Sequence, residues 1–251
     1  MRPRTFGVAS LLCSLVVVGA PAQAPVPLEN PASGLRTWEA GDGTRPLVLL
    51  HGYASTPQAW LQFVATLQPG VSRRLVFPEG PDVRPDGRGR GWWPLDLSSH
   101  LDATGLPDLS RSRPPGLAMA STRIRTLLDE MVTRLGGSSG DLILGGFSQG
   151  GMVSAEVAFR TDTPLKALIL LSPTVVDEAS WRDGIPLRRG LPVFLAHGRQ
   201  DNVLPFASSA RLAETLRTAG LRVTWVPFDG SHDMPAPVIT ALNAFLATVD
   251  R

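Results

Sequence analysis

Ser148 lies in Gly145-Gly-Phe-Ser-Gln-Gly-Gly151, a stretch that contains the pattern Gly146-x-Ser148-x-Gly150. A serine hydroxyl is a weak nucleophile at neutral pH and must be held out on a tight turn beside a base. The flanking sequence predicts such a turn, with Asp141–Leu144 as a short apolar strand and Met152–Phe159 as a helix. Strand, turn and helix are the context in which GxSxG becomes a nucleophile elbow. Glycine suits 146 and 150 because the strand end packs on the helix start and leaves no room for a side chain. A glycine-rich turn with a solvent-facing serine would carry the same motif, so the reading depends on the partners found elsewhere in the chain.

The partners needed are a base, an acid to orient it and donors for an oxyanion. Four histidines are available. His51 and His100 precede the serine, which counts against them if the order is Ser, acid, His. His197 follows it at a strand end, beside Gly198. His232 sits in Phe228-Asp-Gly-Ser-His-Asp-Met234, between the last strand and the last helix, where the base belongs. The acid is assigned to Asp201, in His197-Gly-Arg-Gln-Asp-Asn-Val-Leu-Pro205; an Asx turn or helix cap is the alternative use of that residue. Asp229 and Asp233 are too close in sequence to His232 to reach its ring easily, and Asp183 lies on an earlier loop. One oxyanion donor is expected from the Gln149 N–H. The second is expected from Tyr53, after the strand Leu47–Leu50 and the turn His51-Gly52. Trp92, Trp93 and Phe147 are candidates for an apolar substrate pocket, or else for packing. Arg88 and Arg90 are either an attraction for an anionic substrate or solvated loop charges.

These groups must be positioned by alternating strands and helices. Strands are predicted at Leu47–Leu50, Leu75–Phe77, Asp141–Leu144, Lys166–Leu171, Val193–Ala196 and Leu221–Pro227. Helices are predicted at Pro57–Leu67, Ala120–Leu135, Met152–Phe159, Phe206–Ala219 and Ala236–Val249. Short apolar strands between amphipathic helices imply an α/β fold, a mostly parallel sheet covered on both faces. Residues 25–34 read as a flexible lead-in. Residues 78–117, rich in Pro, Gly, Arg and Asp, show no clear element and form a long irregular insertion at the carboxyl end of a strand. Ligands of open α/β sheets bind at such ends.

The first 24 residues read as a secretory signal: Arg2 and Arg4, an apolar Phe6–Val18, and Ala22-Gln23-Ala24 for cleavage. The apolar run is short for a membrane span. Export is therefore expected, with 25–251 as one domain; a retained membrane anchor is the alternative. Without Arg2 and Arg4 the 24 basic side chains fall to 22, equal to the 22 acidic ones. That balance gives no argument for nucleic acid as a partner. Cys13 is the only cysteine, so the exported chain would have no thiol nucleophile, disulfide or zinc–thiolate site.

The chain resembles the phospholipase/carboxylesterase family of α/β-hydrolases, which includes acyl-protein thioesterases. The resemblance rests on Leu50-His51-Gly52, Gly145–Gly151, His197-Gly-x-x-Asp201-x-Val203-x-Pro205 and Gly230-Ser-His232. It implies the α/β-hydrolase fold, a Ser148–Asp201–His232 triad, no metal or organic cofactor, and a small-molecule or lipid ester as substrate. The chain departs from the family at Tyr53-Ala54-Ser55, where a Gly-Asp type sequence is usual after His-Gly. A serine peptidase, a polymeric-ester hydrolase and a non-catalytic exported binding protein are the competing readings of the same scaffold.

Overall fold

A computed structural model describes residues 26–251, apart from residues 62, 85, 86, 88 and 99. The expected leader and Arg88 lie outside the described residues. The chain opens with two strands, β1 (Leu28–Asn30) and β2 (Leu35–Ala40), followed by β3 (Pro46–Leu50), α1 (Pro57–Leu61) and β4 (Arg74–Pro78). A small hairpin of β5 (Asp82–Val83) and β6 (Arg90–Gly91) precedes the long helix α2 (Pro115–Leu135). Then come β7 (Ile143–Phe147), α3 (Gln149–Arg160), β8 (Ala167–Leu171), α4 (Glu178–Gly184) and β9 (Pro192–Gly198). The last elements are α5 (Phe206–Thr218), β10 (Arg222–Phe228) and α6 (Ala236–Val249).

Eight strands form one sheet in the order β1-β2-β4-β3-β7-β8-β9-β10. The six from β4 to β10 are mutually parallel, and β2 runs antiparallel to β4. Alternation along each strand divides the core between the two faces, as period-2 geometry requires. Val48, Leu50, Leu144, Leu168, Leu170 and Leu195 face one cluster with α2 and α3, whereas Leu47, Leu49, Ile143, Ile169, Leu171 and Phe194 face the other with α6. The winding reverses between β3 and β7: from β3 the chain steps outward to β4, and from β7 it steps the other way to β8. That reversal opens a crevice at the carboxyl ends of β3 and β7, the place where doubly wound sheets take their ligands. Tyr53 follows β3 and Ser148 follows β7.

The lead-in is more ordered than its composition suggests. Asn30 donates to the Leu35 carbonyl and to Thr37 Oγ1, and Glu130 of α2 accepts from the Ala32 and Ser33 amides, so side chains staple β1 in place without apolar alternation. The helix predicted at Pro57–Leu67 is split into α1 and a separate 3₁₀ turn at Val64–Thr66. Helix α2 begins at Pro115 and not at Ala120, since proline at the first helical position has its φ preset and loses no hydrogen bond. The irregular stretch after β4 is fixed by local turns. Asp96, Asp102 and Asp108 each accept from a backbone amide two residues on. Its far end is tied to α4 through Asp177 N–H to Leu109 O and Glu178 N–H to Ser110 O.

Candidate active site

The Ser148 turn is as tight as the sequence implies. A Cβ on Gly146 would meet the Gly150 carbonyl carbon at 2.4 Å, and one on Gly150 would meet the Leu50 carbonyl oxygen at 2.2 Å. The strand thus crosses onto α3 at backbone contact. Ser148 takes φ 54°, ψ −120°, a conformation rarely open to a residue with a side chain and costing on the order of 1–3 kcal/mol. The surroundings enforce it: Ser148 N–H donates to Leu171 O at 2.8 Å, and its carbonyl accepts the Met152 N–H at 3.1 Å. Ser148 precedes the first turn of α3, whose unpaired amides and dipole favour negative charge.

Asp201 and His232 meet across two loops. His232 Nδ1 lies 2.7 Å from Asp201 Oδ2, and the other carboxylate oxygen accepts the Val203 and Leu204 amides at 2.8 and 2.9 Å. Asp201 therefore makes the Asx turn and the histidine contact together. Burial alone would raise its pKa, but hydrogen bonds from His197, His232 and the Leu204 amide outweigh that and hold the carboxyl well below the usual carboxylate range. The two loops are braced by Gln200 N–H to Gly230 O and by Ser231 Oγ to Asn202 Oδ1. The His232 ring packs against Phe147, the residue before Ser148, with centroids 4.7 Å apart.

The structure brings Tyr53 and Gln149 to the same crevice, and His51, which chain order counts against as the base, lies beside them. His51 is fully buried, accepts the Gly80 N–H at Nε2 (2.9 Å) and donates from Nδ1 to the Gly52 carbonyl (2.8 Å). Burial is the largest cause lowering its pKa to about 4, only partly offset by the Gly52 bond and Glu79. In a trans peptide the N–H points opposite to its C=O. Fixing the Gly52 carbonyl toward His51 therefore turns the Tyr53 N–H the other way, and no cis peptide occurs among the described residues. The signal in the sequence was the His-Gly pair at the end of β3, which has the form of a loop-setting dipeptide whatever its place in the chain order.

Trp92 and Trp93 do not offer a pocket surface. They are 2% and 3% exposed and packed in the α2–α3 core. Trp92 Nε1 donates to His51 O (2.8 Å), and the Gln149 amide accepts from Trp92 N and donates to Trp93 O, both at 2.9 Å. This departs from the pocket-lining expectation because the Trp92 indole N–H and both backbones find buried partners in His51 and in Gln149 of α3. Phe147 stays half-buried beside His232. Arg90 is not a free loop charge either: it donates to the Gly80 and Pro81 carbonyls and ties the hairpin down. Among the described residues, no group of three or more His, Cys, Asp or Glu is placed to hold a metal ion.

A mostly parallel sheet with a strained serine at its switch point and a carboxylate–imidazole pair on the following loops defines a hydrolase of the α/β-hydrolase class. The sequence profile of the phospholipase/carboxylesterase family matches residues 39–250, and the chain belongs to that family of ester-hydrolysing serine enzymes. It is 29% identical over 202 residues to acyl-protein thioesterase 1 of Mycosarcoma maydis, an alignment covering 75% of this chain and 79% of the relative. The crystal structure of esterase PE8 superposes with a TM-score of 0.69 at 26% identity, covering 90% of this chain and 98% of that one. A carboxylesterase from Mesorhizobium loti shares the fold with a TM-score of 0.69 at 16% identity, over 90% and 99% of the two chains. No helix among the described residues is long and apolar enough to cross a membrane.

Proposed function

We propose that the protein is a serine carboxylesterase that works through Ser148, His232 and Asp201 and an acyl-enzyme. The observation that carries this reading is the 2.7 Å contact between His232 Nδ1 and a depressed-pKa Asp201, set beside the strained Ser148 turn. Asp201 accepts the Nδ1 proton and so leaves Nε2 as the base. His232 takes the Ser148 proton as Oγ attacks the ester carbonyl, then returns it to the departing alcohol. Water repeats the sequence and frees the acid. The Gln149 and Tyr53 amides carry the developing oxyanion, the first at the α3 N-terminus and the second in the peptide held by His51.

The substrates are small carboxylic esters, including thioesters or lysophospholipid esters. The family and the thioesterase relative support that range. Phe147 meets the acyl group beside His232. The N-terminal pattern of arginines, apolar run and Ala-x-Ala supports export with cleavage after Ala24, and no nucleic-acid partner is invoked. A p-nitrophenyl ester series from acetate to palmitate, run on protein beginning at Pro25 with Ser148→Ala alongside, tests the reading. Turnover that survives in the variant overturns it.

A further inference from the structure

The two amides assigned to the oxyanion lie on different segments, Tyr53 after β3 and Gln149 at the start of α3. An oxyanion hole works only when its donors are held in fixed positions around the reacting oxygen. A Cβ on Gly52 would lie 3.3 Å from Ser148 Cβ, so the loop after β3 passes directly beside the nucleophile.

The side chain of Gln149 has no part in the scheme above, which uses only its backbone. It is 0% exposed. Its Oε1 accepts the Trp92 N–H and its Nε2 donates to the Trp93 carbonyl, both at 2.9 Å. Both partners are backbone groups with fixed roles, so the side-chain amide has a single orientation. Trp92 carries the connection on. Its indole Nε1 donates to the His51 carbonyl at 2.8 Å, and His51 Nδ1 holds the Gly52 carbonyl at 2.8 Å. A hydrogen-bonded path therefore runs from Gln149 through Trp92 and His51 to the Gly52–Tyr53 peptide. A packing contact joins the same two ends. A Cβ on Gly91 would meet the Tyr53 ring at 2.7 Å and Gln149 Oε1 at 3.0 Å, so both side chains converge on the bare α-carbon of Gly91. The neighbouring Arg90 N–H donates to Ser55 O at 2.9 Å and ties β6 to the loop after β3.

We infer that the Gln149 side chain is a positioning group: with Gly91 it forms the spacer that sets the separation of the Tyr53 and Gln149 amides, an inference that rests on the acyl-transfer reading above. Buried backbone groups at Trp92 and Trp93 need polar partners. Here the partner belongs to the residue whose own N–H faces the oxyanion. Side chain and N–H share one α-carbon, so holding the first against the Trp92–Trp93 backbone also holds the second. Both acylation and deacylation pass through an oxyanion, so a displaced donor lowers kcat whichever step limits. A displacement of about 1 Å can cost on the order of 100-fold.

The test uses the chain beginning at Pro25. Gln149→Met keeps the length of the side chain and the backbone N–H but removes both hydrogen bonds. For a p-nitrophenyl ester, kcat should fall by roughly 10- to 100-fold with KM changed by less than about twofold. Affinity for an alkyl trifluoromethyl ketone should fall by a similar factor. In that adduct Ser148 Oγ bonds to the ketone carbon, the serine proton passes to His232 and the carbonyl oxygen becomes the oxyanion, so the affinity reads the hole without turnover. Gly91→Ala keeps every side chain on the path and adds one methyl between the Tyr53 ring and the Gln149 amide. It should show the same pattern, and it decides the matter if the methionine variant does not fold. Combining Gln149→Met with Trp92→Phe should cost no more in kcat than the larger single loss, because either change severs the same path. Unchanged kcat and ketone affinity in a folded Gln149→Met, or in Gly91→Ala, overturns the inference, even if thermal stability falls as for a merely structural residue. Losses that multiply in the double variant overturn it too. Failure of the acyl-transfer reading would show instead as turnover that survives Ser148→Ala, or as a ketone that forms no adduct with the wild type.

Discussion

Acidification should weaken the fold through His51 before it reaches the Asp201 carboxylate. The ring is buried and neutral, with Nε2 accepting from the Gly80 amide; a proton added there would confront one donor with another. Its pKa falls from 6.5 to about 4 on folding. The unfolded chain therefore takes up a proton between those values while the folded chain does not, and the stabilisation is full above about 6.5 and lost as pH falls toward 4. At about 1.36 kcal/mol per pH unit the whole window amounts to roughly 3 kcal/mol, and roughly 2 kcal/mol of it is gone by pH 5. The depressed pKa of Asp201 acts in a separate range, since its stabilisation is lost only below the ordinary value of 3.8. The perturbation is His51→Gln, whose amide oxygen can still accept from Gly80 but does not titrate. Urea unfolding of both proteins at pH 7 and pH 5 should show the wild type losing about 2 kcal/mol more than the variant. Parallel losses would refute the account of His51 as a neutral buried ring. At pH 7 the same variant should lose about tenfold or more in kcat, because the Gly52–Tyr53 peptide is no longer held.

Other expectations follow from the same contacts. Ser148→Gly should abolish turnover yet raise stability by about 1 kcal/mol, read by thermal unfolding, because glycine tolerates φ 54° without strain. Trp92→Phe keeps the packing but removes the Nε1 bond to His51 O; stability should fall by about 1 kcal/mol, with a drop in kcat larger than any change in KM. Arg73 and Asp250 form an ion pair with side chains 0% and 1% exposed, joining the approach to β4 to the end of α6. Arg73→Ala should cost about 3–5 kcal/mol in denaturant unfolding because it strands a buried carboxylate.

The residues read best from sequence were those whose chemistry demands a local backbone form. The Gly146-x-Ser148-x-Gly150 turn could be placed because close approach of strand and helix excludes side chains, and Asp201 and His232 because their loops follow strands in the expected order. The contacts among loops were not legible. Nothing in the spacing of Trp92 and Trp93 distinguishes a pocket wall from a buried strut; their partners, His51 and Gln149, lie about 40 and 57 residues away. Chain order counts against His51 as the base and says nothing of groups that hold a peptide in place. β1 is not legible in the sequence because side-chain hydrogen bonds hold it, and these leave no periodic trace. The strand at β7 ran on to Phe147 through Gly145 and Gly146, where glycine reads as turn although the ladder to β8 continues.

Labelling with an active-site fluorophosphonate tests the central claim most directly. The chain beginning at Pro25 is treated with the probe and digested, and the modified residue is located by mass spectrometry. The account predicts one adduct, on Ser148, with labelling slowed by orders of magnitude in His232→Ala at unchanged fold. An unlabelled Ser148, or equal labelling in the two proteins, would contradict it.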